Sequence, residues 1–136
     1  MKRRSTAALP LIVAAVVALA GCGSPGVALE RYSGVPSWFK PTSPLDEGPA
    51  AMLDGDGNLT LVTYGSSSCP ATVTGIEAQD ADTVALSLDA GSAGVCTADM
   101  APTTHVIRVP DAASARPLTV HVTYTGTPWE YTISTE

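Results

Sequence analysis

Leu59-Thr-Leu-Val-Thr-Tyr64, the loop Gly65-Ser-Ser-Ser-Cys69-Pro70 and the run Thr83-Val-Ala-Leu-Ser-Leu88 decide how this chain folds. In the last of these, Val84, Leu86 and Leu88 alternate with Thr83, Ala85 and Ser87. An extended backbone sends successive side chains to opposite faces, so this pattern gives one buried face and one wet face. Between them, Ala71 to Ala78 is another strand-like run, turned by the polar Gln79-Asp-Ala-Asp82. The unit closes at Cys96, after the glycine-rich Ala90-Gly-Ser-Ala-Gly94.

The same period continues on both sides. Upstream, Ala51-Met-Leu53, Asp54-Gly-Asp-Gly-Asn58 and Leu59 onward predict a hairpin, since a glycine-rich turn joins two apolar runs. Asp54, Asp56 and Asn58 also match the start of a calcium loop. The match then fails, because the sixth position is Leu59 rather than glycine and the twelfth is Gly65 rather than glutamate. Downstream, Thr103 to Val109 is a strand stopped by Pro110, and Asp111 to Pro117 is a connection. In Leu118 to Tyr124, Val120, Val122 and Tyr124 oppose Thr119, His121 and Thr123, and Trp129 to Ser134 closes the chain. No stretch of about ten residues after Cys22 carries the 3.6-residue period of a helix. The fold class is therefore all-β. About six or seven short strands punctuated by proline and glycine predict a small antiparallel β-sandwich, favoured over a small barrel, over residues 49–136.

The first residues do not belong to that body. Met1-Lys-Arg-Arg-Ser5 is a basic start, and Ala7 to Ala20 is an apolar run interrupted by Pro10. A permanent membrane span needs about 20 apolar residues, so this run suits a secretory leader over residues 1–21. It ends in Leu19-Ala20-Gly21-Cys22, which resembles the lipobox of bacterial lipoproteins. That resemblance implies cleavage before Cys22, a diacylglyceryl group on its thiol with acyl chains such as palmitate, and anchoring at the extracytoplasmic face of the cell membrane. One acyl chain binds a bilayer marginally, whereas two hold a protein there stably. Residues 22–48 hold Pro25, Pro36, Pro41 and Pro44 with several glycines and serines, and are expected to form the lipidated N-terminus and a semi-extended tether. Within that stretch the adjacent Trp38 and Phe39 are expected to fold back over one end of the domain rather than form a ligand lid.

With Cys22 assigned to lipid, two of the three cysteines remain, Cys69 and Cys96. An oxidising compartment and even parity predict that they pair. Their separation matches no zinc spacing. Removing the leader also removes Lys2, Arg3 and Arg4. That leaves Arg31, Lys40, Arg108 and Arg116 against all thirteen acids, a side-chain sum of −9. Nucleic acid and anionic headgroups demand basic patches, so this balance argues against both.

A second resemblance covers roughly Leu59 to Pro110. Tyr64-Gly-Ser-Ser-Ser-Cys69-Pro70 together with Cys96-Thr-Ala-Asp-Met100-Ala-Pro-Thr-Thr104 resembles a signature of small secreted or lipid-anchored proteins of high-G+C Gram-positive bacteria, to which no biochemical activity is assigned. It implies fold and location and transfers no catalytic residue.

Three functional classes follow from the residues themselves. Rigid loops on a scaffold are where recognition usually sits, so Ser66, Ser67, Ser68, Asp99 and Thr103, beside the expected disulfide, form a candidate binding surface for a protein or small molecule. The alternative is copper handling by His105, His121, Met100 and Met52, whose donors suit that metal although their spacing fits no copper motif. His105 shares parity with Ile107 and Val109 and is expected to be half buried, whereas His121 is on the wet side of its strand. The third class is a serine hydrolase using one of the three serines, a histidine base and Asp99 as orienter. No glycine-x-serine-x-glycine or serine-x-x-lysine motif supports it. No enzyme and no cofactor are implied, and the reading preferred from sequence is a lipid-anchored binding or interaction module.

Overall fold

A computed structural model describes residues 27–40, 48–92 and 94–136. The expected leader, the expected lipobox Leu19-Ala20-Gly21-Cys22 and part of the expected tether lie outside these residues. Eight strands form two sheets: β1 (Glu30–Ser33), β2 (Ala50–Leu53), β3 (Leu59–Gly65), β4 (Thr72–Asp80), β5 (Thr83–Asp89), β6 (Ala101–Ile107), β7 (Leu118–Thr125) and β8 (Glu130–Thr135). One sheet has the order β1-β6-β3-β2, the other β4-β5-β7-β8. No helix occurs among the described residues. The fold is all-β.

The expected runs all become strands, with ends moved by a residue or two. Two features differ. First, β1 lies inside the stretch read as tether, where Glu30, Arg31, Tyr32 and Ser33 pair with Val106, His105, Thr104 and Thr103 of β6. Its four residues are all exposed, so backbone bonding to a neighbour, not an apolar face, places this strand. Second, β5 and β7 run parallel, with Val84 opposite Val120 and Leu86 opposite Val122; the other strand pairs are antiparallel. Parallel neighbours require a crossover, and here the chain makes it by passing through β6 in the opposite sheet.

The core lies between the sheets. Leu59, Leu61 and Ile107 from one sheet and Val84, Leu86, Leu88, Leu118, Val120 and Val122 from the other are completely buried. Each such leucine or isoleucine contributes about 1.5–3 kcal/mol on leaving water, which makes this layer the main source of stability. The edges of the two sheets also meet, for the Val27 amide donates to the Val73 carbonyl of β4 at 3.0 Å. Arg31 Nη1 donates to Thr72 Oγ1 at 2.8 Å on the same side.

The outer face of the first sheet is covered too. Thr60, Val62 and Thr104 alternate away from the core and are nevertheless buried. Thr104 Oγ1 donates to the Gly34 carbonyl at 2.6 Å, holding the segment after β1 over this face. Phe39 is buried and Trp38 is about half exposed, their rings meeting edge to face at 6.0 Å. The expectation that this pair folds back holds for Phe39.

Strand polarity defines two ends. The β3–β4 and β5–β6 loops share one end, since Gly65 is opposite Ala101 and Thr72 is opposite Asp89. The β7–β8 turn joins them there, Asp89 being opposite Thr125. The β2–β3 hairpin is at the other end of its sheet, and β1 begins there, with Glu30 opposite Val106.

Candidate functional site

The loops at the first end carry the candidate surface. Cys69 and Cys96 form a disulfide, Cα to Cα 5.5 Å, which ties the loop leaving β3 to the loop entering β6. Gly91 lets the two backbones touch. It has a φ of +71°, and a Cβ there would fall on the Cys69 carbonyl oxygen and within 2.7 Å of that of Pro70. What reads in sequence as a flexible glycine loop is packed at this position against its neighbour.

Hydroxyl groups knit the two loops further, around one residue that sequence inspection passes over. Thr97 Oγ1 lies 2.9 Å from Ser66 Oγ and 3.2 Å from Ser67 Oγ, and the Thr97 amide donates to Ser68 Oγ at 3.0 Å. The Cys69 amide donates to Ser66 Oγ at 3.3 Å, closing the serine turn upon itself. Serine-rich turns satisfy backbone donors in this way. Asp99 completes the set: its Oδ1 accepts from the Ser67 amide at 3.0 Å and from the Thr97 hydroxyl. The Ser67 hydroxyl, then the Thr97 hydroxyl and the Ser67 amide, hold the Asp99 carboxyl well below the usual carboxylate range. The result is an ionised, exposed carboxylate fixed in place by Ser67 and Thr97.

Apolar side chains flank this polar cluster. Val95 is fully exposed at the loop tip, and Met100 is more than half exposed where β6 begins. Trp129, in the β7–β8 turn, is also exposed and packs edge to face on Tyr124 at 6.0 Å. Burial, with the neighbouring Tyr131, pushes the Tyr124 hydroxyl up to about 12.

Four of the five expected surface residues, Ser66, Ser67, Ser68 and Asp99, therefore come together. Thr103 does not. It sits within β6 on the inward parity of His105 and Ile107 and is buried opposite Thr63. Its backbone carbonyl lies 3.5 Å from Thr63 Oγ1.

The histidines are likewise separate. His105 is completely buried in the first sheet, not half buried, with Nε2 3.0 Å from Thr63 Oγ1 and Nδ1 without a partner. Burial, and secondarily the Arg31 charge, pushes it down to about 4, so the ring is neutral at ordinary pH. His121 is in the second sheet, its Nδ1 3.1 Å from Thr132 Oγ1. Both histidines' hydrogen bonds thus go to threonines of their own sheets, and the serines bond to Thr97 and Asp99 instead. Among the described residues no three His, Cys, Asp or Glu side chains converge as metal ligands. In the Asp54–Asn58 turn, Asp54 Oδ1 accepts from the Asp56 and Asn58 amides, each at 2.9 Å, so this carboxylate serves the hairpin.

What the arrangement can do chemically is recognition. It offers one fixed negative charge, several hydroxyls able to donate or accept, and exposed apolar groups beside them. Comparison of the chain with protein-family models, with curated proteins and with solved structures finds no match.

Proposed function

We propose that this protein is a lipoprotein of the extracytoplasmic membrane face, anchored through a diacylglyceryl Cys22, which binds a protein partner through the disulfide-clamped loops. The anchoring half of the reading is supported by the basic start, the apolar run and Leu19-Ala20-Gly21-Cys22. A disulfide-bonded small domain also fits an oxidising compartment.

The binding half rests on one observation: Ser66, Ser67, Ser68, Thr97 and Asp99 form a single hydrogen-bonded surface cross-tied by the Cys69–Cys96 bond. A pre-ordered surface loses little conformational entropy on association. Val95, Met100 and Trp129 supply the apolar contact that protein interfaces use, methionine and tryptophan being enriched in them. The net negative charge makes a basic partner surface the complementary one.

Photo-crosslinking on intact cells tests this, with the crosslinker placed at Val95 and variants at Thr97, Asp99 and the three serines. The expected result is a discrete crosslinked partner that disappears in Asp99→Ala with Thr97→Val. A partner captured equally well after those substitutions and after serine replacement removes the surface from the account.

A further inference from the structure

Eight large hydrophobic side chains are exposed among the described residues, and they are not spread evenly. Three, Val95, Met100 and Trp129, belong to the loop end. The other five, Val27, Leu29, Tyr32, Val35 and Trp38, fall within a single stretch of twelve residues, Val27 to Trp38. Three of those five converge: Leu29, Tyr32 and Trp38 line one open groove with Glu30, Thr60 and Val106, beside the β2–β3 hairpin. The Thr60 hydroxyl at this groove is buried without a hydrogen-bond partner. Soluble surfaces carry single exposed apolar residues without consequence, but a contiguous patch marks a place of contact.

We propose that the face formed by Leu29, Tyr32 and Trp38 is a membrane-seating surface, resting in the headgroup region of a phospholipid bilayer beside the lipidated Cys22. This inference rests on the anchoring proposed above. The geometric reason is the length of the link. The Val27 amide is hydrogen-bonded to Val73, so the body of the domain begins only five residues after Cys22. Even fully extended, five residues span about 18 Å, so Val27 stays within that distance of the lipidated cysteine. The expected 27-residue tether thus contracts to a short leash, which keeps the N-terminal face close to the lipid.

The chemistry agrees. Tryptophan and tyrosine, with an apolar body and a polar tip, prefer the membrane interface, and Trp38 and Tyr32 are both partly exposed on this face. The carboxylates of Glu30, Asp54 and Asp56 border the groove and the mature side chains sum to −9, so seating is driven by apolar and aromatic contact. Anionic lipid therefore weakens it.

The chain has two tryptophans, one on this face and one at the loop end, which makes the test direct. Mature lipidated protein carrying Trp129→Phe, and separately Trp38→Phe, is reconstituted into vesicles of phosphatidylcholine with brominated acyl chains. We expect a blue shift and about a twofold loss of Trp38 emission, with Trp129 unchanged, as for an interfacial side chain against a solvent-facing one. Adding phosphatidylglycerol should lessen the Trp38 effect. A second arm uses unlipidated chain starting at Cys22, which contains all eight strands, coupled through that thiol to a maleimide phospholipid. It reads the seating independently of whether cells lipidate the cysteine. Failure of the cell-derived protein to sediment with vesicles counts against the anchor. Vesicle-bound protein in either arm with Trp38 unquenched, or with Trp38 and Trp129 quenched alike, overturns the seating. If a tryptophan variant does not fold, hydrogen exchange of wild-type protein decides, with slowed exchange across Glu30–Trp38 on anchoring expected and unchanged exchange contradicting it.

Discussion

The amide of Ser67 donates to Oδ1 of Asp99 at 3.0 Å across two loops that are 32 residues apart in sequence. With Thr97 bridging the serines to the same oxygen, this contact turns two connections into one surface. Removing the bridge should loosen the loops without unfolding the sandwich. Thr97→Val is expected to cost about 1 kcal/mol in denaturant unfolding, because the bonds lost are exposed. The Ser67 amide should exchange faster with solvent in that variant.

Asp99 titration is visible at the same amide. Its carboxyl is held below its ordinary value of 3.8 in the folded protein, so the hydrogen bonds favour the ionised form. Their contribution to stability is complete above 3.8 and is lost as pH falls through the lower folded value. The Ser67 amide resonance should therefore shift with a midpoint below 3.8, and Asp99→Asn should abolish that transition. A midpoint at or above 3.8 contradicts the loop geometry.

The disulfide closes a loop of about 28 residues, for which chain entropy predicts roughly 3.5 kcal/mol. Cys69→Ser with Cys96→Ser should lower the midpoint of thermal unfolding by roughly 15 °C or more in a domain of this size. A shift of only a few degrees means that the hydroxyl network holds the loops without the bond.

Gly91 and Gly94 form a controlled pair. Both have positive φ, +71° and +97°, but only at Gly91 does a Cβ meet backbone atoms. Gly94→Ala should cost about 1 kcal/mol from backbone strain alone, and Gly91→Ala about 2 kcal/mol or more. Chemical denaturation of the two variants checks the order.

His105 makes stability depend on mild acid. It is pushed down to about 4 from 6.5, so the unfolded chain takes up the proton first as pH drops. Stability is full above about 6.5, falls between there and 4 by about 3 kcal/mol, and loses nothing more from this group below 4. His105→Gln, which preserves a partner for Thr63 Oγ1, should flatten that slope.

Much of this was legible in the residues. The alternation of Val84, Leu86 and Leu88, and of Val120 and Val122, names the core face because each strand is wet on one side only. The hairpin was legible in its glycines, and the disulfide in cysteine parity. β1 was not, since Glu30-Arg31-Tyr32-Ser33 has no apolar alternation and is placed by hydrogen bonds to β6, a partner about 70 residues away. The parallel pairing of β5 and β7 was also hidden, because a period of two is the same in either strand direction. At the site, Thr97 carries no local signal: its role arises only when two distant loops meet. Thr103 had a signal that could have been used, for its parity with Ile107 points inward.

The proposed lipid anchor and the Cys69–Cys96 clamp are tested most directly by the intact mass of the protein extracted from the cell membrane, taken with and without reductant before alkylation. The expected species is a chain beginning at Cys22 that carries a diacylglyceryl group, with no alkylatable thiol before reduction and two after it. A different N-terminus, a free Cys22 thiol, or thiols open to alkylation without reductant would contradict it.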